Sequence, residues 1–312
     1  MSDKVELSVI VPVGDRHDNV QELYEDYRQG IEACGRTYEL IYVLDGELPE
    51  VLDKLVTLQQ QGAKLKLIKL ARSFGEATAL TAGFDNASGD IILTLPAYYQ
   101  VDPAEIPKII RELQNFDMVI SHRWPRFGSK FELMRRSLFH NILKTFTGAS
   151  YHDLGCGVRA FKRQIAQEVT IYGDQHRFLP VLASRRGFKV RELNVAQSPK
   201  DHFRGVYRPR EYLHRLLDIF TVFFLVRFTK KPLRFFGMVG SITLAIGVVF
   251  VLYLVIERLF MDVPLAARPA LLLSSLLVVL GVQILALGLI GELIIFTHAR
   301  ELKEYTIDEI IN

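Results

Sequence analysis

Short apolar runs and amphipathic stretches alternate along roughly the first 100 residues of the chain. Apolar runs of strand length occupy four segments, 7–13, 38–43, 65–70 and 91–95. Between them, apolar residues recur at helical spacing over 20–33, 51–61 and 76–87. This alternation predicts an α/β protein with a doubly wound, mostly parallel sheet. Ligands bind beyond the carboxyl ends of the strands in such sheets, so we expect functional residues in 14–18, 44–47, 72–75 and 96–102.

Two much longer apolar segments lie nearer the C-terminus. Neither 235–256 nor 269–291 contains a charged residue, and each is longer than 20 residues. At about 1.5 Å per residue, a helix of this length crosses a hydrocarbon core about 30 Å thick. Helices buried in soluble proteins seldom stay apolar on every face over such a length. We therefore predict two transmembrane helices, at about 235–257 and 269–292, joined by a tight connector.

Basic residues flank the predicted hairpin on its outer side. The connector carries only two of them, whereas the flanking segments carry Arg227, Lys230, Lys231, Arg234, Arg300 and Lys303. Positive residues favour the cytoplasmic side, so both ends are predicted to face the cytosol. The N-terminus lacks the pattern of a signal peptide, which agrees with this orientation. We expect an integral protein of the inner membrane or its equivalent.

The chain accordingly divides into four predicted parts. They are a cytosolic domain over 1–210, a juxtamembrane segment over 211–234, the transmembrane hairpin over 235–297 and a cytosolic tail over 298–312. The juxtamembrane segment mixes apolar and charged residues, as does a helix lying in the headgroup layer. A helix packed on the soluble domain is the alternative. Glu292, at the edge of the second span, is either functional or simply reaches water.

Charge and cysteine content narrow the function classes. The net charge of +3 is too small to indicate nucleic acid, and no nucleic-acid-binding motif occurs. The two cysteines, Cys34 and Cys156, lie far apart and match no metal-ligand spacing. Their pattern is typical of free thiols in a reducing compartment.

Five segments of the chain carry a family resemblance. In order they are LSVIVPV, YELIYVLDG, LARSFGEATALTAGFDNASGD, QVDPAEIP and HDLGCGVRAFKR. This order resembles that of the family 2 glycosyltransferases, and the ending GLIGELIIFTHARELKEY is similar to their polyprenyl-phosphate branch, which includes dolichol-phosphate mannose synthase. The resemblance implies a GT-A fold and inverting transfer of a sugar from a nucleotide-sugar to undecaprenyl or dolichyl phosphate in a bilayer. It also implies a homo-oligomer.

The implied chemistry makes particular demands on the site. A phosphate monoester is largely ionised at neutral pH, so this nucleophile needs little help from a general base. The main demand is to stabilise the departing pyrophosphate and to position two large anions.

The chain departs from the family where a metal is normally held. The family places Asp-x-Asp-x-Gln after the fourth strand, but here Pro96 and Tyr98 replace the acids and only Gln100 remains. A lone amide is a poor ligand for Mg²⁺, which prefers carboxylates. A Mg²⁺ or Mn²⁺ ion would depend on Gln100 and Asp102, with Glu105 nearby in sequence.

The resemblance also assigns roles to individual residues. The donor-binding set is Pro12, Asp15, Arg16, Asp45, Arg72, Gly75 and Gln100. The set for the lipid phosphate is Arg123, Arg126, Arg204 and Arg208, and the catalytic set is Asp153, Arg126 and Arg123. Structural alternatives remain open: Asp45 as a turn former, Asp153 as a helix cap, and the arginines as a solvated face.

Three interpretations follow from the missing acids. In the first, an active transferase stabilises the leaving group with arginines such as Arg16, Arg72 and Arg126. In the second, the protein is an inactive, membrane-tethered homologue that binds a lipid or a partner enzyme. In the third, it binds the usual donor and recruits a metal through other acids.

Overall fold

The computed structural model describes residues 4–125, 151–169, 171, 173–201, 232–261 and 269–298. The chain forms two compact units, one containing the described residues up to 201 and the other those from 232 onwards. The predicted domain boundary near residue 210 and most of the predicted juxtamembrane segment lie outside the described residues. Those boundaries stay predictions.

A seven-stranded sheet forms the centre of the first unit. Its strands are β1 (Leu7–Val13), β2 (Tyr38–Leu44), β3 (Leu65–Lys69), β4 (Ile91–Thr94), β5 (Met118–Arg123), β6 (Arg159–Lys162) and β7 (Val190–Val195). Their order across the sheet is β3-β2-β1-β4-β6-β5-β7. Strand β6 runs antiparallel to both of its neighbours, and the other neighbouring pairs are parallel. The predicted doubly wound, mostly parallel α/β sheet is confirmed.

Helices cover the sheet, and the first three lie where the apolar spacing predicts them, whereas the last three were not predicted. They are α1 (Val20–Glu32), α2 (Pro49–Gln60), α3 (Glu76–Asp85), α4 (Ile106–Glu112), α5 (Arg163–Glu168) and α6 (Leu179–Arg185), with short 3₁₀ turns at Pro103–Glu105 and Gly173–Phe178. Helix α1 begins after Asn19, whose side chain accepts a hydrogen bond from the Gln21 amide. A proline starts α2, where its missing N–H costs nothing.

Burial on both faces explains why β1 is an almost unbroken apolar run. Leu7, Val9, Ile10 and Val11 are fully buried, although successive side chains point to opposite faces. Helix α3 packs closely on this strand because Gly83 leaves room for Ile10. A Cβ atom at Gly83 would come within 2.4 Å of an Ile10 methyl carbon.

The strand order places a crevice beside β1. From β1 the chain builds β2 and β3 to one side, and then returns to add β4 on the other side. The direction of winding therefore reverses between β1 and β4, which is where open α/β sheets bind ligands. The segments that leave the carboxyl ends of these two strands are 14–18 and 95–100.

The second unit is a hairpin of two long helices, α7 (Pro232–Met261) and α8 (Pro269–His298). Both are long and apolar enough to span a membrane, with mean hydropathies of 2.6 over Pro232–Phe260 and 2.5 over Pro269–Ile294. The predicted pair of spans is thus found as helices, although α7 starts earlier than expected and includes Arg234. Most apolar side chains on the two helices are exposed, as a lipid-facing surface requires.

Glycines allow the two helices of the hairpin to approach closely. A Cβ atom at Gly281 would lie 2.6 Å from the Leu244 amide nitrogen, and one at Gly247 would lie 2.7 Å from that of Val278. Small residues of this kind let transmembrane backbones pack together. The packing therefore depends on the absence of a side chain at these positions.

Glu292 has a partner inside the hairpin. Its carboxylate accepts a hydrogen bond of 3.3 Å from the Leu233 amide, in the first turn of α7. The first amides of a helix lack partners within the helix, and the helix dipole favours a negative group there. Glu292 therefore joins the end of α8 to the beginning of α7, a role that the sequence alone did not indicate.

Candidate functional site

Asp45 organises the loop that follows β3. Its carboxylate accepts hydrogen bonds from the amides of Phe74 (2.7 Å) and Gly75 (2.9 Å) and from the Ser73 hydroxyl (3.0 Å). Gly75 adopts a φ of 95°, a conformation that favours glycine. Asp45 thus shapes one wall of the crevice. Its predicted contact with the nucleotide stays a prediction.

The segment that lacks the two acids is firmly held in place. The Tyr27 hydroxyl donates to the Pro96 carbonyl (2.9 Å), and the Tyr99 amide donates to the Asp18 carboxylate (2.9 Å). The Asp18 amide donates in turn to the Ala97 carbonyl (2.9 Å). These bonds link the segment after β4 to the segment after β1, so the crevice between them has an ordered floor.

Gln100 uses both ends of its amide within the protein. Its oxygen accepts from the Gly157 amide (2.7 Å), and its nitrogen donates to the Tyr98 hydroxyl (3.0 Å). The side chain is buried, and an unpaired buried amide would be costly. Gln100 therefore fastens the 154–157 loop to the crevice floor.

The residues present do not fit the metal that the family normally holds. Pro96 has no side-chain oxygen, and the Gln100 side-chain oxygen already accepts a hydrogen bond from the Gly157 amide. The Asp102 carboxylate accepts a hydrogen bond from the Ala104 amide (3.0 Å), as the cap of a 3₁₀ turn. Mg²⁺ needs several carboxylate or water oxygens in octahedral geometry, which these groups do not offer.

Tyr98 lies on the crevice floor near several charged side chains. The Arg16 guanidinium lies over its ring, 3.7 Å from the ring centre. Burial raises the pKa of Tyr98 and so does the Glu76 carboxylate, while Arg16, Arg123 and Arg177 oppose the rise. Tyr98 therefore stays neutral near pH 7, and it supports Arg16 through its ring.

Three arginines near the crevice form no ion pair within the described residues. The Arg72 guanidinium lies 4.9 Å from the centre of the Phe74 ring, and Arg16 lies on Tyr98. In the part of the chain that the structure describes, Arg16, Arg72 and Arg177 form no ion pair. Arginine is always charged and binds phosphate through paired hydrogen bonds. These side chains can therefore bind an anion without first breaking an ion pair.

Arg123 and Asp153 form a buried ion pair. Two guanidinium nitrogens of Arg123 donate to the two carboxylate oxygens of Asp153, at 2.8 and 3.0 Å. A third lies 3.4 Å from the Asp201 carboxylate. Burial alone would lower the pKa of Arg123, but neighbouring Cys156 and the Asp153 and Asp201 carboxylates raise it. The guanidinium that was expected to bind the lipid phosphate is thus already bound on two sides.

Arg159 is buried and holds two loops together through backbone carbonyls. Its guanidinium donates to the carbonyls of Leu154 (2.8 Å), Cys156 (3.0 Å) and Arg177 (3.3 Å), and to that of His176. Burial lowers its pKa. Arg159 thereby positions Arg177 at the crevice.

Glu76 and His176 form a pair that the sequence analysis missed. The Glu76 carboxylate lies 3.3 Å from the His176 ring. Burial would raise the pKa of Glu76, but the hydrogen bond to His176 and the charges of Arg177 and Arg159 outweigh it and lower the pKa. The two residues are 100 positions apart, so no local motif indicates the pair.

The structure thus brings together some of the predicted site residues. Arg16, Tyr98 and Gln100 meet on the crevice floor, Asp45 meets Gly75, and Arg123 meets Asp153. Pro12 lies in β1, and Asp15 is exposed in the following loop. Those that lie outside the described residues are Arg126, Arg204 and Arg208.

The sequence pattern of the family Glycosyl transferase family 2 matches residues 8–170. The chain belongs to this family and is a glycosyltransferase. The match covers β1 to β6 and therefore includes both sides of the crevice.

Two curated relatives match almost the whole chain. The dodecaprenyl-phosphate galacturonate synthase of Rhizobium johnstonii is 28% identical over 304 residues, covering 95% of this chain and 90% of the relative. The undecaprenyl-phosphate 4-deoxy-4-formamido-L-arabinose transferase of Aeromonas hydrophila is 29% identical over 312 residues, covering 98% and 94%. Both names contain a polyprenyl phosphate, which agrees with the branch that the sequence resembles.

A solved structure confirms the fold. Glucosyl-3-phosphoglycerate synthase from Mycobacterium tuberculosis, in complex with Mn²⁺, UDP and glucosyl-3-phosphoglycerate, has a TM-score of 0.51 and 18% identity. The similarity covers 72% of this chain and 80% of that one. At this identity the likeness shows the fold alone.

Proposed function

We propose that the protein transfers a sugar from a nucleotide-sugar to a polyprenyl phosphate without the usual metal. The observation that carries this proposal is Arg16, whose guanidinium lies on the ring of Tyr98 at the crevice floor. Arg72 and Arg177 add two more guanidinium groups with no ion pair in the described part of the chain. Together they can neutralise the pyrophosphate as it departs.

The reaction needs few further groups. An oxygen of the lipid phosphate attacks the anomeric carbon, the bond to the nucleoside diphosphate breaks, and the configuration inverts. The attacking phosphate is already ionised at neutral pH, so no general base has to remove a proton. This agrees with Asp153, whose two oxygens bind Arg123. Arginines that stabilise the leaving group act on charge that develops in the transition state.

The membrane part of the proposal rests on the hairpin. Its two helices can hold the enzyme at a bilayer, where the long-chain acceptor lies. The flanking basic residues support a cytosolic N-terminal unit and C-terminus. The exposed apolar surface of the hairpin is also available to a second copy of the chain, which supports a homo-oligomer.

A product assay with purified full-length protein tests the reaction. The protein is incubated in detergent or nanodiscs with single nucleotide-sugars and undecaprenyl phosphate, and lipid-linked sugars are identified by mass spectrometry. We expect a glycosyl phospholipid with at least one donor and none with undecaprenol, which lacks the phosphate. Lack of product with every donor would contradict the proposal and favour the inactive scaffold.

A further inference from the structure

Two histidines and one acid form a cluster beside the Arg123–Asp153 pair. His122 lies in β5, Glu192 lies in β7, and His152 lies in the loop before Asp153. One ring nitrogen from each histidine and one oxygen of Glu192 lie within 4.8 Å of one another. Among the residues that the structure describes, this is the only group of three or more such side chains at metal-binding spacing.

Hydrogen bonds already orient all three side chains. One oxygen of Glu192 accepts from the backbone amides of His152 (2.6 Å) and Asp153 (2.9 Å). The other oxygen lies 2.7 Å from Nδ1 of His152. Nδ1 of His122 lies 2.8 Å from the side-chain oxygen of Asn194. The contact between His122 and Asn194 is typical of an imidazole whose other ring nitrogen binds a metal.

We propose that His122, His152 and Glu192 bind a divalent transition metal of the Zn²⁺ class. Imidazole nitrogens and a carboxylate oxygen are the usual ligands of this ion, and water completes a tetrahedron. Zinc–ligand bonds of about 2.0–2.2 Å place neighbouring ligand atoms about 3.3 Å apart. The three ligand atoms, which lie within 4.8 Å of one another, must therefore move closer together when the ion binds.

The exposed side chain of His152 can supply most of this movement. Its side chain is 69% exposed, whereas that of Glu192 is 13% exposed and fixed by two backbone amides. The two imidazole rings are already stacked, with centres 5.4 Å apart and planes 22° apart. The ion replaces the proton that lies between His152 and Glu192, and this proton is released to solvent.

A metal at this position acts as a structural clamp. It joins β5, β7 and the loop that carries Asp153, and His122 and His152 directly precede the two members of the buried ion pair. The ion is therefore distinct from one bound to the donor pyrophosphate. The bound ion would keep the side chains of Asp153 and Arg123 in position to form their ion pair.

Metal titration of the full-length protein in detergent tests the proposal. The protein is stripped with chelator, and Co²⁺ is added because tetrahedral Co²⁺ absorbs in the visible region. Zn²⁺ is then measured by calorimetry and by elemental analysis after dialysis. We expect one equivalent of either ion in the wild type. Removal of an orienting side chain weakens metal sites about 10–100-fold, so Asn194→Ala should weaken binding at least tenfold.

Matched histidine variants locate the site. His122→Gln, His152→Gln and the double variant should lose the visible Co²⁺ band and the bound equivalent of Zn²⁺. His17→Gln, which removes an exposed histidine from the loop after β1, should keep both. Thermal unfolding of the metal-free proteins verifies that each variant is folded. The His152→Gln variant should disturb folding least, because this side chain is exposed.

Two results would overturn the proposal. One is a stripped wild type that takes up no Zn²⁺ or Co²⁺ beyond the double variant. The other is full binding in the double variant, which would place the ion elsewhere. These readouts do not use sugar transfer, so they stand whether or not the proposed reaction is correct.

Discussion

In the proposed reaction, the chemistry of the crevice depends most on Arg16 and Tyr98. The Arg16 guanidinium lies on the ring of Tyr98, and the Tyr98 hydroxyl accepts a hydrogen bond from the Gln100 side chain. The ring thus places a guanidinium at the crevice floor, where it can meet the departing pyrophosphate in the proposed reaction.

Replacement of Arg16 should therefore reduce catalysis strongly. Loss of one group that stabilises developing charge typically lowers kcat by about 10²–10³-fold. We expect a loss of this order for Arg16→Gln, and a smaller one for Arg16→Lys, which keeps the charge but not the paired hydrogen bonds. Initial rates over a series of donor concentrations measure this.

Two controls accompany the Arg16 variants. Tyr98→Phe keeps the ring under Arg16 and should stay within a few fold of the wild type. Arg36→Gln removes an arginine that lies 3.9 Å from the Glu6 carboxylate, away from the crevice, and should not change the rate. An Arg16→Gln enzyme with normal kcat would contradict the role of this arginine.

The lowered pKa of Glu39 should make the stability of the fold depend on pH. Burial would raise its pKa, but hydrogen bonds from Ser8 and Ser88 outweigh burial and hold the pKa below its ordinary value. A carboxyl with a lowered pKa stabilises the fold above its unfolded pKa of about 4.3, and this contribution disappears as pH falls through the folded value.

Melting temperatures of Glu39→Gln and the wild type test this at several pH values. The variant should melt lower at pH 7, and the difference should shrink as the pH falls below about 4. Glu47→Gln, at an exposed position between β2 and α2, serves as the control and should show little difference at any pH. A difference that stays constant down to pH 3 would contradict the assignment.

At the scale of elements, the hairpin depends on the close approach of α7 and α8. A Cβ atom at Gly281 would overlap the Leu244 backbone, at 2.6 Å from its amide nitrogen. One at Gly237 would lie in ordinary contact with the Leu233 side chain, 3.7 Å from its nearest atom. Gly281→Val should destabilise the hairpin by about 1–3 kcal/mol through overpacking. Gly237→Ala should be tolerated.

Thermal unfolding in detergent compares the two glycine variants directly. The result that would contradict the packing is an equal melting temperature for Gly281→Val and Gly237→Ala. Both substitutions lie in apolar helices, so a difference between them reports the contact rather than membrane insertion.

The loop after β3 is the second element with a specific prediction. Asp45 accepts three hydrogen bonds from residues 73–75, so Asp45→Ala leaves two backbone amides without these partners. We expect faster hydrogen exchange of this loop and a several-fold higher KM for the nucleotide-sugar. Unchanged exchange, measured by mass spectrometry of loop peptides, would contradict the role of Asp45.

At the scale of the whole molecule, the sequence predicts the elements that repeat a strong pattern. The first four strands, the three helices between them and the two long C-terminal helices appear within a few residues of their expected bounds. Strands β5 to β7 were not assigned, because each mixes apolar with polar or charged residues instead of forming an unbroken apolar run, and β6 joins the sheet in antiparallel orientation. Their pairing depends on contacts between distant parts of the chain.

The site was predicted less completely, for the same physical reason. Gln100 was expected at the donor, yet its amide bonds to Tyr98 and to Gly157, which is 57 residues away. Arg123 was expected to meet a phosphate, and its partners in the fold are Asp153 and Asp201. The sequence shows which residues are charged, but it does not show which of them form ion pairs in the fold.

The proposal that arginines replace the metal is tested most directly by the metal dependence of sugar transfer. The rate of lipid-linked product formation is measured in EDTA and again after Mg²⁺ or Mn²⁺ is restored. The His122→Gln/His152→Gln variant is measured alongside, so that any effect of a clamp metal is separated from the donor site. The account predicts that this variant turns over equally in EDTA and in Mg²⁺. Transfer that EDTA abolishes in it, and that Mg²⁺ or Mn²⁺ restores, would contradict catalysis by arginine.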